Sequence, residues 1–249
     1  AATPPRRRRA TPAARAGSVC SDAMGKGYEL EAALQALDPF APDEQDYALE
    51  QYATPPHLAA EIVKCAAGHF GDVENKRVLD LGCGTAILSC ACALAGAAAV
   101  VGVDCDANAL RRARANVEAA DVEHVVDLVL AKVSDDFTLP VRGGFDCCVM
   151  NPPFGTRATG ADVAFVRAAL RLCDGPVYSL HKSSTRDYLV RRAGAWGASA
   201  RVVAELKFDV PKCYAFHRDA SRDIAVDLVR FAPAGDAPLP PPPPPRETA

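Results

Sequence analysis

The sequence predicts a doubly wound α/β fold in which a seven-stranded sheet is mainly parallel and its last strand is antiparallel. Short apolar segments alternate with segments whose apolar residues recur at helical spacing, a pattern typical of repeated βαβ units. The last two apolar segments follow one another without a helix between them, which predicts an antiparallel pair. The predicted strands span residues 77–81, 99–103, 125–130, 145–150, 176–180, 202–208 and 224–231.

Helical periodicity places helices before the first strand and between most successive strands. The pair Asp38-Pro39 ends the first predicted helix, because proline lacks the backbone N–H that a continuing helix needs. The chain has 249 residues, of which 49% are hydrophobic, and this is enough for one such domain with a core. The predicted helices span residues 29–37, 56–67, 86–95, 107–119, 161–173 and 184–193.

Composition argues against several other classes of protein. No uncharged apolar run of 18 residues occurs, so we expect no membrane-spanning helix. The ten cysteines are scattered without a CxxC pair or a histidine cluster, which predicts free thiols and no metal site. Residues 1–23 hold five of the 28 basic residues and one of the 31 acidic residues, so the remainder carries −7 against −3 overall. Such a domain would bind a polyanion through a local basic surface or a helper subunit.

The segment Asn151-Pro152-Pro153-Phe154 is the most informative about function, because it follows a strand predicted to be fully buried. Ligands of open α/β sheets bind beyond the carboxyl ends of such strands. Asn151 offers a carbonyl that accepts a hydrogen bond from an amino group, and the prolines leave nearby carbonyls free to accept as well. Phe154 offers a face for a planar ring. The segment therefore suits a planar substrate with an exocyclic amino group, such as adenine, or else it is a strand-ending turn.

A second motif, Gly82-Cys83-Gly84-Thr85, joins a predicted strand to a helix and predicts close approach of the backbone to a ligand. Asp104 ends the next strand, where a carboxylate can accept both hydroxyls of a ribose. Asp80 could hold the loop or face a cationic cofactor group. An NAD site is the competing interpretation, but the third glycine of the dinucleotide motif is absent. Together with the Asn-Pro-Pro-Phe segment, this loop looks like that of an S-adenosylmethionine (SAM) methyltransferase, which has a class I, Rossmann-like sheet.

Four segments resemble the methyltransferase-like protein 5 family, which methylates adenine N6 in small-subunit ribosomal RNA. The resemblance covers roughly residues 29–231 and implies a SAM-dependent adenine-N6 methyltransferase acting on 18S ribosomal RNA. Its products would be N6-methyladenosine and S-adenosylhomocysteine. The four segments span residues 49–57, 150–156, 178–186 and 223–231.

The resemblance also implies roles for individual residues. Side chains before the sheet would contact SAM, the glycine loop would surround it, an aspartate would hold its ribose, and the Asn-Pro-Pro-Phe segment would form the adenine site. In that order, the residues are Gln51 and Thr54; Gly82, Thr85 and Ile87; Asp104; and Asn151, Pro152, Pro153 and Phe154, while Asp80 and Gly84 are cofactor-binding candidates from the motif itself.

The sequence departs from the family pattern at two places. Thr85-Ala86 replaces a Cys-Gly pair, which still permits a tight turn but stiffens it. Lys132 stands where the family has an aspartate that binds the adenine amino group of the cofactor, and Asp135 follows three residues later. Either the register shifts here, or a backbone carbonyl and a nearby side chain take over that contact.

The implied partners are ribosomal RNA and a small zinc-binding activator subunit that forms a heterodimer with the enzyme. We expect the activator to bind an apolar strand edge. Lys182, Arg186 and Arg218 are the candidate RNA-binding residues, because they follow the fifth strand or lie in the basic connection before the last one. A solvated helix face and loop is the alternative for these three side chains.

The two ends of the sequence differ from the domain between them. Residues 1–24 are rich in Arg, Ala and Pro and predict a disordered extension, residues 25–232 form the methyltransferase domain, and residues 233–249 contain six consecutive prolines that predict an exposed polyproline tail. The extension fits an organellar transit peptide, a start at Met24, or a basic arm that contacts RNA. We expect a nuclear or cytoplasmic protein, or an organellar one if the extension is a transit peptide.

Two rival functions share parts of this pattern. Protein glutamine-N5 and DNA adenine-N6 methyltransferases also use Asn-Pro-Pro-aromatic segments, because an amide NH2 has a similar geometry. The segments around Gln51 and His181 favour the RNA enzyme over both. A non-catalytic scaffold with the same fold is the third hypothesis, suggested by Lys132 and Ala86 and opposed by the intact Asn-Pro-Pro-Phe segment.

Overall fold

A seven-stranded sheet with helices on both faces forms the core of the protein, as the sequence predicts. The computed structural model describes residues 22–40, 45–46, 49–133, 139–210 and 222–233. The strands are β1 (Arg77–Leu81), β2 (Ala99–Asp104), β3 (Val126–Leu130), β4 (Cys147–Met150), β5 (Val177–Lys182), β6 (Ala198–Val210) and β7 (Arg222–Pro233). The helices are α1 (Asp22–Gln35), α2 (Pro56–Lys64), α3 (Ile87–Leu94), α4 (Ala107–Ala119), α5 (Ala161–Leu172) and α6 (Arg186–Ala193).

The strand order is β3-β2-β1-β4-β5-β7-β6. Strands β1 to β5 pair in parallel, and β7 inserts antiparallel between β5 and β6. The order reverses at β1, so the carboxyl ends of β1, β2 and β4 open onto one crevice, which is where ligands of such sheets bind.

The central strands of the sheet are almost wholly apolar because helices cover both of their faces. One face packs Val78, Cys147 and Val149 against α1 to α4, and the other packs Leu79 and Met150 against α5 and α6. Every residue of β4 is buried. The predicted doubly wound arrangement is therefore confirmed.

The structure moves several predicted boundaries. Helix α1 begins at Asp22, inside the predicted extension, and α2 ends at Lys64, where a π-helical turn over Cys65–His69 continues the predicted helix. Strands β6 and β7 are longer than predicted, because their antiparallel pairing runs from Ala198↔Pro233 to Val210↔Arg222. Hydrogen bonding between strands extends them beyond the apolar segments that the sequence shows.

Eight cysteines lie in the described ranges, and all of them are free thiols, as the sequence predicts. No group of three or more His, Cys, Asp or Glu side chains among the described residues is placed to hold a metal ion. None of the helices in these ranges is both long and apolar enough to cross a membrane.

Candidate active site

A cleft of about 460 Å³ lies beyond the carboxyl ends of β1, β2, β3 and β4. Its walls come from a segment before the sheet, the β1–α3 loop, the ends of β2 and β3, the start of the Asn-Pro-Pro-Phe segment and the first turn of α5. Of the twelve catalytic and cofactor-binding residues predicted from the sequence, nine line this cleft, and Asp80, Pro152 and Phe154 do not. The nine that line it are Gln51, Thr54, Gly82, Gly84, Thr85, Ile87, Asp104, Asn151 and Pro153.

The β1–α3 loop brings the backbone to the floor of the cleft. Gly82 and Gly84 have φ values of 73° and 53°, in the left-handed region that favours glycine. A Cβ at Gly82 would lie 3.0 Å from the ring of Phe165, and one at Gly84 would lie 3.0 Å from the ring of Phe40. Two aromatic rings therefore close over the loop, and only glycine leaves room for them.

Ala86 supplies the left-handed residue that ends this loop, with φ 63° at the N-cap of α3. For a residue with a Cβ this conformation costs roughly 1–2 kcal/mol, a strain that glycine avoids. The departure from the family's Cys-Gly pair thus keeps the shape of the turn at the expense of some strain.

Asp104 presents its carboxylate at the end of β2. One oxygen accepts a hydrogen bond from the Gly84 N–H at 2.8 Å, and the other accepts one from the Asp106 N–H at 2.9 Å. A carboxylate has about four lone-pair sites, so both oxygens retain capacity to accept from ribose hydroxyls. Burial raises the pKa of Asp104, and the two backbone hydrogen bonds oppose that rise.

Asp80 lies beneath the loop and does not line the cleft. It is fully buried, and one of its oxygens accepts a hydrogen bond from the Ser89 hydroxyl at 2.6 Å. Burial raises its pKa to about 7. Of its two predicted roles, the structure supports holding the loop and does not place the side chain against a cofactor.

Residues 49–54, which we call the strap, cross the open side of the cleft. The side-chain carbonyl of Gln51 accepts from the Asp46 backbone N–H at 2.7 Å, and the side-chain nitrogen of Gln51 donates to the Asp106 carboxylate at 2.8 Å. The Thr54 hydroxyl oxygen accepts from the side-chain amide nitrogen of Asn151 at 3.1 Å. The strap therefore joins the ribose end of the cleft to the Asn-Pro-Pro-Phe segment.

The hydrogen bond from Asn151 to Thr54 fixes which way the Asn151 amide faces. Because the nitrogen is used by Thr54, the carbonyl oxygen is left to accept from a ligand. Phe154 is 9% exposed and packs between Tyr52, with ring centroids 6.5 Å apart, and Phe208, with centroids 5.9 Å apart. Pro152 is buried and Pro153 lines the cleft.

Asn116 on α4 secures the chain before the strap. Its amide nitrogen donates to the carbonyls of Asp38 and Thr85, at 2.8 and 2.9 Å, and its carbonyl accepts from the Asp38 N–H at 2.8 Å. These bonds hold Phe40 over Gly84.

The sequence did not single out several residues that the structure brings to the cleft. Glu50 and Tyr52 flank Gln51 in the segment 49–57, but their residue types predicted no ligand contact, and the two phenylalanines over the glycine loop belong to no motif. A turn signal such as Asp38-Pro39 indicates where the chain bends, but it does not show which ring then covers Gly84.

The three candidate RNA-binding residues have different surroundings. The Lys182 ammonium lies 5.9 Å from the centre of the Phe154 ring, at the side of the predicted acceptor site. Arg186 instead binds the fully buried Asp227 at 2.6 and 2.7 Å and contacts Glu205 at 2.9 Å. Arg218 lies outside the described residues.

Lys132 lines the cleft beyond β3, where the family aspartate was expected. Asp135 lies outside the described residues. Ala131 and Val133 line the same part of the cleft.

Comparison with known proteins identifies the family. Residues 64–174 match the model of the methyltransferase small domain. The chain is 41% identical over 206 residues to the zebrafish (Danio rerio) rRNA N(6)-adenosine-methyltransferase METTL5, covering 82% of this chain and 98% of the relative. The chain belongs to the METTL5 family.

Other relatives agree with this assignment. The Drosophila melanogaster rRNA N(6)-adenosine-methyltransferase Mettl5 is 43% identical over 204 residues, covering 82% of this chain and 94% of the relative. The crystal structure of the Pyrococcus horikoshii protein PH1948 superposes with a TM-score of 0.73 at 30% identity, covering 86% of this chain and 98% of that one. As a METTL5-family member, the chain is a methyltransferase whose cofactor is SAM.

The cleft fits that cofactor. Asp104 provides acceptors for ribose hydroxyls, the glycine loop permits close approach, and Phe40 and Phe165 supply apolar walls. Gln51, Thr54 and Ile87 are placed to contact it from the strap and the start of α3.

We predict that Asp80→Asn stabilises the protein increasingly as the pH rises. A carboxyl whose pKa is higher in the folded state favours folding below its unfolded pKa, near 4, and this contribution is lost as the pH rises through about 7. The asparagine carbonyl still accepts from Ser89 and does not ionise. Urea unfolding of both proteins from pH 4 to 8 should show a gap that widens with pH. A gap independent of pH would contradict the burial of a titrating carboxyl here.

We predict that Arg186→Ala lowers the melting temperature, because it leaves the buried Asp227 carboxylate without its cation. Arg191→Ala, at an exposed position on the same helix, is the matched control and should leave the melting temperature within about 1 °C, as expected for surface changes. Thermal unfolding followed by circular dichroism measures both. Equal melting temperatures for the two variants would contradict the structural role of Arg186 and leave its side chain available to contact RNA.

Proposed function

We propose that this protein transfers a methyl group from SAM to N6 of an adenosine in small-subunit (18S) ribosomal RNA. The products are N6-methyladenosine in the RNA, S-adenosylhomocysteine and a proton, which N6 releases to solvent once its bond to the methyl group has formed. The names of the zebrafish and fruit-fly relatives support adenosine N6 of ribosomal RNA as the acceptor. The observation that carries the proposal is the Asn151 side chain, which lines the cleft and whose amide nitrogen donates to Thr54, so that its carbonyl oxygen is the end that can accept from a ligand.

The Asn151 carbonyl and the Pro152 backbone carbonyl accept the two N6 hydrogens of the target adenine. Accepting both hydrogens directs the N6 lone pair away from the ring plane. When bound, SAM supplies an electrophilic methyl group on a sulfonium sulfur. The residues of the cleft accelerate the reaction mainly by orienting the acceptor, which can contribute several kcal/mol.

Aromatic packing defines where the adenine enters. An enzyme that modifies a base must take it out of its stack, and the flipped base stacks on an aromatic side chain. Phe154 is the ring offered by the Asn-Pro-Pro-Phe segment, and Tyr52 packs nearly parallel to it, with an angle of 20° between the rings. The base therefore reaches Phe154 from the Tyr52 side, and the strap adjusts when the base binds.

Lys182 is the described cation best placed to meet the RNA backbone. It follows β5, and its ammonium lies beside Phe154, so it can contact a phosphate of the flipped nucleotide. Arg218 belongs to the same proposed surface on sequence grounds. Arg186 supports this surface by fixing the start of α6 to β7.

The activator subunit is proposed to bind the open edge of the sheet at β3. Within the described part of the chain this strand pairs with β2 on one side only, and Leu130 at its end is 59% exposed. An unpaired strand edge with an exposed leucine is a template for strand addition by a partner.

The function is tested by incubating the full chain, alone and with the activator subunit, with SAM and either ribosomal RNA, duplex DNA or a glutamine-bearing release factor. Nucleoside and peptide mass spectrometry then identify the methylated product. We expect N6-methyladenosine in small-subunit ribosomal RNA alone. Methylated glutamine or methylated DNA would show that the acceptor is protein or DNA instead of ribosomal RNA. The absence of any product under all conditions would favour the scaffold hypothesis.

We predict that Asn151→Ala reduces methyl transfer by at least about 100-fold, because the acceptor amine loses its orienting carbonyl. SAM affinity, measured by calorimetry, should stay within about threefold of wild type, because the cofactor contacts of Asp104 and the glycine loop are retained. Retained turnover by Asn151→Ala would remove its assigned role.

Lys182→Glu should weaken RNA binding and reduce its dependence on salt, since one phosphate contact is lost.

A further inference from the structure

Glu50 is a buried carboxylate in the wall of the cleft that the function described above does not use. The residue is 6% exposed and lines the cleft between Leu49 and Gln51. One carboxylate oxygen, Oε1, accepts a hydrogen bond from the backbone N–H of Arg157 at 2.7 Å. The other oxygen, Oε2, is buried and has no hydrogen-bond partner among the described residues.

The backbone of Glu50 adopts a conformation that is unfavourable for a residue with a side chain. Glu50 has φ 54°, in the left-handed region where a side chain is strained. Non-glycine residues in this region persist where the surrounding structure fixes them, and they cluster at binding sites. The hydrogen bond to Arg157 also fixes one oxygen, so the direction of the second is set by the fold.

A buried carboxylate oxygen without a donor is unfavourable unless a ligand supplies one. Glu50 lines the cleft, so a ligand bound there is the available source of the missing donor. A cation compensates a buried carboxylate better than a neutral donor does. The target adenosine has only neutral donors, whereas the methionine part of SAM carries an ammonium group.

The position of Glu50 matches the methionine end of the cofactor. Asp104 marks the ribose end, and the methyl group must face Asn151 for transfer. A cofactor bound with its ribose at Asp104 would place its sulfur, and the aminoacyl chain attached to it, toward the Asn151 side of the cleft. Glu50 is joined to the loop that follows the Asn-Pro-Pro-Phe segment on that same side.

We propose that Glu50 is a cofactor-binding residue whose Oε2 accepts a charge-assisted hydrogen bond from the ammonium group of SAM and of S-adenosylhomocysteine. Because Glu50 belongs to the strap and also accepts from the Arg157 backbone, cofactor binding at Oε2 links the cofactor, the strap and the loop that contains Arg157. The proposal rests on the cofactor half of the proposed function and does not depend on the RNA acceptor.

The test compares two ligands by calorimetry without RNA. One is S-adenosylhomocysteine, and the other is its deaminated analogue, in which hydrogen replaces the ammonium group. Glu50→Gln is the test variant, because its carbonyl still accepts from Arg157 while the charge is removed. Glu123→Gln removes an exposed carboxylate at the opposite end of β3 and is the control.

Wild type and Glu123→Gln should bind S-adenosylhomocysteine about 10- to 100-fold more tightly than the deaminated analogue, as expected for one charge-assisted hydrogen bond. Glu50→Gln should bind the two ligands within about threefold of each other. The ratio is taken within each variant, so a reduced folded fraction does not change it.

An unchanged ratio in Glu50→Gln would overturn the proposal, and so would a wild-type protein that does not discriminate between the ligands. A ratio that depends on Glu50 in a protein that methylates no ribosomal RNA would leave this site standing and would overturn only the assigned acceptor.

Discussion

The hydrogen bond between Thr54 and Asn151 joins the two halves of the active site. The cofactor half is built at the ends of β1 and β2, and the acceptor half follows β4. Neighbouring strands place these halves side by side, but strand pairing alone does not determine which way the Asn151 amide faces. In the structure Thr54 accepts from the amide nitrogen at 3.1 Å, so the carbonyl oxygen is the end of the amide that can accept from a ligand.

The same strap makes two more connections through neighbouring side chains. Gln51 binds Asp106 at the start of α4, and Glu50 binds the Arg157 backbone after the acceptor segment. A cofactor that contacts the strap therefore reaches the loops on both sides of the cleft. This explains why residues from outside the sheet contribute as much to the site as the strand ends do.

Sequence reasoning predicted correctly the positions of those residues whose placement depends on local strand geometry. Gly82, Gly84, Asp104 and Asn151 lie at the ends of strands, and the geometry of a parallel sheet brings strand ends together without further information. It failed where a side chain's role depends on distant partners. Arg186 looked like a surface cation, but Asp227, buried on β7, binds it, and Asp80 has no surface on the cleft. Glu50 lies in the segment 49–57 that resembles the family, but no role was predicted for it, because its oxygen without a partner among the described residues is visible only in the fold.

The most direct measurement is the single-turnover rate of methyl transfer to small-subunit ribosomal RNA by Thr54→Val, with SAM and RNA saturating. Valine keeps the shape of threonine but cannot accept from Asn151, and Thr54→Ser restores the acceptor as a control. Saturating SAM removes any effect of Thr54 on cofactor affinity. If Thr54 orients the catalytic amide, Thr54→Val is slower by about tenfold, the effect of roughly 1.4 kcal/mol, and Thr54→Ser stays within about threefold of wild type. A Thr54→Val enzyme that transfers the methyl group at the wild-type rate would contradict the account.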